Sequence, residues 1–130
     1  MPTKTDLAGE VFNQQLCDFL DKSPTPFHAT EQLAAFLNEA GFVELAEADA
    51  WQLEAGGRYF VRRNQSSLAA WVQGTTALAE SGWRILGAHT DSPCLKVKPN
   101  PDLFQHGYWR IGVEVYGGVL LNPWFDRDLS

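Results

Sequence analysis

The sequence is short of nearly every compact motif that would name a chemistry at once. It holds only two cysteines, Cys17 and Cys94, in unrelated contexts. Neither a disulfide framework nor a Cys-x-x-Cys pair can be built from them, and a reducing, cytoplasmic setting is expected. There is no Gly-rich phosphate loop and no Gly-x-Ser-x-Gly elbow. No stretch approaches the roughly 18 consecutive apolar residues of a spanning helix. The start, MPTKTDLAGEVFNQQL, has no basic region followed by an apolar run, so no signal peptide is expected. Repeats and low-complexity tracts are absent. Cations are scarce: 10 Lys and Arg stand against 16 Asp and Glu, a net charge of -6. Such a chain repels phosphates, so neither nucleic acid nor an anionic membrane is expected as a partner. What remains is globular: 130 residues, 45% hydrophobic and 12% aromatic, suit one domain with a real core.

Hydrophobic periodicity places the elements. Over residues 6–22, Val11, Phe12, Gln15, Leu16, Phe19 and Leu20 fall on one helical face, all apolar but Gln15. Cys17 lies close to that stripe and reads as a small core residue. Ser23-Pro24-Thr25-Pro26 ends this helix and starts another, with Thr25 as cap and Pro26 in the first turn. The second helix, 26–40, carries Ala29, Leu33, Phe36, Leu37 and Ala40 on one face, with Gly41 placed as a left-handed C-terminal cap. The period then changes to two. Gly56-Gly57 reads as a turn, and 58–63 and 67–72 read as strands paired around Asn64-Gln65. The apolar run 83–89 suits a strand inside a sheet. Residues 95–98 and 109–116 alternate, with Pro99-Asn100-Pro101 a boundary between them. Helices followed by strands give an α/β layered fold, helices packed on a mixed sheet. Val119-Leu120-Leu121 and Trp124-Phe125 are apolar enough to want a covering element, so a piece of a longer chain is expected.

The densest chemical candidate is Gly87-Ala88-His89-Thr90-Asp91-Ser92-Pro93. On a strand, His89 and Asp91 would point to the same side. Imidazole is a good zinc ligand, and a neighbouring carboxylate can fix its tautomer and orientation. Pro93 would turn the chain out of the sheet into a loop, where sites concentrate. On spacing alone, a plain surface turn capped by Asp91 or Ser92 is the favoured reading. His28 reads as a neutral imidazole near a helix start, bonded to a loop carbonyl, and His106 as an exposed loop residue. Asp126-Arg127-Asp128 reads as a solvated charged turn with a local ion pair. Cys94 adjoins the candidate site without an evident base, which argues against a nucleophile.

Three segments together resemble one family. Ser23-Pro24-Thr25-Pro26-Phe27-His28-Ala29, the block from Gly87 to Pro99, and Val113-Glu114-Val115-Tyr116-Gly117-Gly118 through Trp124-Phe125-Asp126-Arg127-Asp128-Leu129 resemble the aspartyl aminopeptidases, which are two-zinc exopeptidases. Order and approximate spacing agree over nearly the whole chain. The chain departs at Val119, where the family often has a third glycine, and at Leu121-Asn122-Pro123. The resemblance implies that His89 is a ligand of one zinc and that Asp91 orients or polarises the site beside it. It implies residues 1–100 as the N-terminal segment of a catalytic domain, and 101–130 as the start of an inserted dimerisation domain. It further implies two zincs per subunit, peptides cut one N-terminal residue at a time with a possible acidic preference, and dimers assembling into a hollow homo-oligomer. A bridged two-zinc site needs about five or six protein ligands and a general base. The family draws most of them from sequence beyond residue 130, so this chain alone is expected to be inactive. The competing readings are a non-catalytic binding or assembly module of the same fold, and a mononuclear site using His28, His89 and His106.

Overall fold

A computed structural model describes residues 4–125. The first helix, α1, runs over Lys4–Asp21 and the second, α2, over Pro26–Glu39. Thr25 caps α2 as its sequence demands: its hydroxyl accepts from the His28 N–H at 3.4 Å, with Pro26 in the first turn. At the other end Gly41 has φ +79. The Phe42 N–H reaches Leu37 O at 2.9 Å and the Gly41 N–H reaches Asn38 O at 3.0 Å, the paired bonds of a Schellman cap. The Arg58 guanidinium adds a bond to Ala40 O at 3.1 Å, a cation at the negative end of the helix dipole.

Helix α1 meets α2 through Phe19, whose ring lies 6.0 Å from that of Phe36. The rest of its expected apolar face is in water: Val11, Phe12, Leu16 and Leu20 are all exposed. Cys17 is exposed too, which corrects its reading as a core residue. It sits beside a stripe of which only the Phe19 end is covered.

Three strands form a mixed sheet of order β1-β2-β3: β1 Val43–Glu44, β2 Arg58–Arg63 and β3 Ser67–Val72. Strand β1 runs parallel to β2, and β3 antiparallel to it. The central strand carries the core, with Phe60 fully buried and Tyr59 nearly so, against Ala29, Thr30 and Ala34 of α2, which are buried as well. Trp71 stacks between Trp51 and Tyr59, with ring centroids 5.6 and 5.9 Å away. A bidentate Arg62–Glu44 pair, at 2.6 and 3.0 Å, ties β2 to β1. The β2–β3 turn holds Asn64 and Gln65 at φ 50 and 55, a left-handed conformation that Asn tolerates well.

After a short helix α3, Leu78–Ser81, the chain differs from expectation. Residues 83–89 form no strand. Ile85 is 82% exposed and Leu86 101%. An apolar strand of the buried type needs hydrogen-bonded neighbours, and none among the described residues pairs with this run.

The chain divides into two compact units, one up to Thr90 and one from Asp91. The second is built on a hairpin of β4, Cys94–Gln105, and β5, Tyr108–Tyr116. His106 and Gly107, at φ 54 and 81, make its two-residue turn, as left-handed hairpin turns require. Pro99 and Pro101 do not end the strand. They lie in a register shift between Val97 and Asp102, where the ladder loses its bonds. Leu95 and Val97 oppose Val115 and Val113 on one face; Cys94 and Lys96 oppose Tyr116 and Glu114 on the other. A 3-10 turn follows at Asn122–Trp124. Asp126-Arg127-Asp128 lies outside the described residues.

Candidate functional site

In the first unit, the extended run brings His89 to the surface, where it is exposed rather than packed in the core. The next residue fixes the backbone there. The Thr90 hydroxyl donates to Ser66 O at 2.7 Å, tying the end of the run to the β2–β3 turn.

In the second unit, Asp91 is half-buried in the irregular stretch just before β4. Its Oδ2 accepts from the Tyr116 hydroxyl at 2.7 Å. Tyr116 is the last residue of β5 and pairs with Cys94. The Lys96 ammonium lies 5.2 Å from its ring centroid. The hydrogen bond to Asp91, and then the Asp91 charge, hold the phenol above its ordinary pKa, because ionisation would set two anions together. Sequence reasoning assigned Tyr116 no role. It stands 25 residues from Asp91, and only the β4–β5 register brings it near; a block resemblance contains it without a contact.

The other histidines have local roles. His28 Nδ1 lies 2.8 Å from the Thr25 hydroxyl, so its partner is a side chain and not the expected loop carbonyl. His106 is exposed in the hairpin turn, as expected. Cys94 is half-buried within β4. No group of three or more His, Cys, Asp or Glu able to hold a metal occurs among the described residues. The three-histidine reading is left without support. An accessible imidazole with an anchored carboxylate two positions on fits zinc in donor type, but only as part of a site.

The model of Peptidase M18, the aminopeptidase I zinc metalloproteases, matches residues 19–130, and the chain belongs to this family. A probable M18 family aminopeptidase 2 of Stutzerimonas stutzeri is 60% identical over 93% of this chain. One from Pseudomonas aeruginosa is 62% identical over 91%. The chain spans 28% of the length of each of these curated relatives. Among solved structures, yeast aminopeptidase 1 is 36% identical with a TM-score of 0.81, over 92% of this chain and 28% of that one. Aminopeptidase I from Borrelia burgdorferi is 26% identical with a TM-score of 0.69, over 88% and 30%. The α/β fold is thus that of the N-terminal part of an M18 aminopeptidase. No described helix is long and apolar enough to cross a membrane.

Proposed function

We propose that the protein carrying this chain is a zinc aminopeptidase that removes single residues from peptide N-termini. The observation that carries the reading is the M18 match over residues 19–130, which includes the Gly87–Pro99 block. In it His89 is a ligand of one of two zincs, and Asp91 orients that imidazole and raises its basicity. Zinc in such a site supplies Lewis acidity to the scissile carbonyl and acidifies water. The chain's own contribution is positional: the Thr90–Ser66 bond steadies the backbone beside His89, and Tyr116 steadies the Asp91 carboxylate.

The finer parts of the proposal follow the same resemblance. Residues 1–100 belong to the catalytic domain and 101–130 open an inserted dimerisation domain. An acidic residue is the preferred substrate terminus, and the compartment is the cytoplasm. The subunits form a homo-oligomer; the mApe1 dodecamer of S. cerevisiae, 36% identical with a TM-score of 0.77, supports that reading.

The test is His89→Ala in the full-length protein, with metal analysis and an aminoacyl-nitroanilide assay. Loss of about one zinc per subunit and of most turnover is expected, since removing one of about four donors opens the site. Full zinc content with normal turnover would overturn the assignment and favour a non-catalytic module of the same fold.

A further inference from the structure

We propose that the groove beside β3 is the slot for one more strand of the first sheet, supplied by the same polypeptide from beyond residue 130. The groove lies wholly within the first unit. Its volume is about 740 Å³, and residues 69–74 and 81–86 line most of it. Strand β3 bonds to β2 along one edge. Among the described residues, nothing pairs with its other edge or with the backbone of 83–88.

Both borders of the groove have the composition of inner strands. Sheets guard a true edge with a short strand, charges, proline or a bulge. The β1 edge follows that rule, being two residues long. Ser67–Val72 does not: it is six residues in unbroken register, with neither a charge nor a proline. The run 83–88 carries Arg84 as its one charge. Ile85 and Leu86 are both in water, although neighbours on a strand face opposite sides of a sheet. Apolar side chains on both sides belong to a strand covered on both faces. That need is permanent, and a peptide that came and went would leave the same surface exposed between visits. One strand laid between the two borders gives each its missing ladder. A second copy of the chain cannot supply it, because its own β3 comes with the same 81–86 border alongside. The same polypeptide can, since the chain spans 28% of the length of its curated relatives. The occupant is an apolar, proline-free stretch of about five residues, the usual length of a strand.

The experiment is hydrogen exchange on the full-length protein, read by mass spectrometry. Amides of 84–88, and the β3 amides that do not face β2, are expected to exchange at least about a hundredfold slower than in an unstructured chain, as paired strands do. The protection should be the same at high and low protein concentration. Cysteine pairs joining Ala70→Cys to Arg84→Cys, Ile85→Cys or Leu86→Cys are expected to form no disulfide under oxidant. Two strand spacings of about 4.8 Å hold them beyond the roughly 7 Å that a disulfide can bridge. Exchange at the unstructured rate on both borders would overturn the proposal. So would protection that disappears on dilution, which would point to a second subunit, or a disulfide formed in full yield, which would put the run directly against β3. Wild-type turnover beside an unprotected groove would remove the strand and leave the aminopeptidase reading standing.

Discussion

Two side chains show how much one polar atom can matter. Thr30 is fully buried on α2, and its hydroxyl finds no hydrogen-bond partner among the described residues. A buried hydroxyl without a partner carries its desolvation cost unrelieved. Thr30→Val keeps the branched shape and removes that oxygen, and should raise unfolding free energy by about 1 kcal/mol in denaturant melts. Tyr116 is the opposite case, a hydroxyl whose value lies in being bonded. Its folded pKa is raised, so the bond to Asp91 is intact below the ordinary phenol value of about 10 and is lost as pH climbs through the raised one. A phenolate absorbance titration compared with Tyr116→Phe should show one tyrosine ionising late. Of these features, His89 and Asp91 stand out as candidates in the sequence because they lie in one unbroken block. Tyr116 was not, because its partner is supplied by strand register.

The elements follow their local signals closely where those signals are local. Thr25, Pro26 and Gly41 bound α2 as the sequence predicts, because caps depend on a few neighbouring residues. Gly41→Ala should therefore cost about 1 kcal/mol, the price of a left-handed conformation for a residue with a Cβ, read as an earlier thermal transition. Strand β1 is invisible to periodicity, since two residues show no period. The 83–89 run misleads for the reverse reason: its composition suits a sheet interior, but a strand exists only through its neighbours. Pro99 and Pro101 point to a break, whereas the ladder skips a few residues and resumes.

At the scale of the molecule, the apolar inventory exceeds what the described residues bury. Val11, Phe12, Leu16 and Leu20 on α1, Ile85 and Leu86, and Trp109, Ile111 and Val115 on the hairpin are all exposed. Contiguous apolar surface and unpaired strand edges drive association. The 130-residue polypeptide made by itself should scatter light as an oligomer or aggregate at micromolar concentration. It should also show no turnover of aminoacyl-nitroanilides with added zinc, having one candidate ligand where about four donors are needed. A clean monomer would show that these faces do not drive association, and robust turnover would overturn the ligand count.

The Thr90–Ser66 bond reaches into protein engineering. Hairpin tips are ordinarily the places where a tag, a linker or an extra residue is accepted without harm. The tip at 64–66 is an exception, because the Ser66 carbonyl is the acceptor that holds the backbone next to His89. A short insertion there should lower zinc retention in the full-length protein, while the same insertion between His106 and Gly107 should leave it unchanged. On the proposed role of His89, the 64–66 tip belongs to the site's scaffold, and the 106–107 tip is the place for a label.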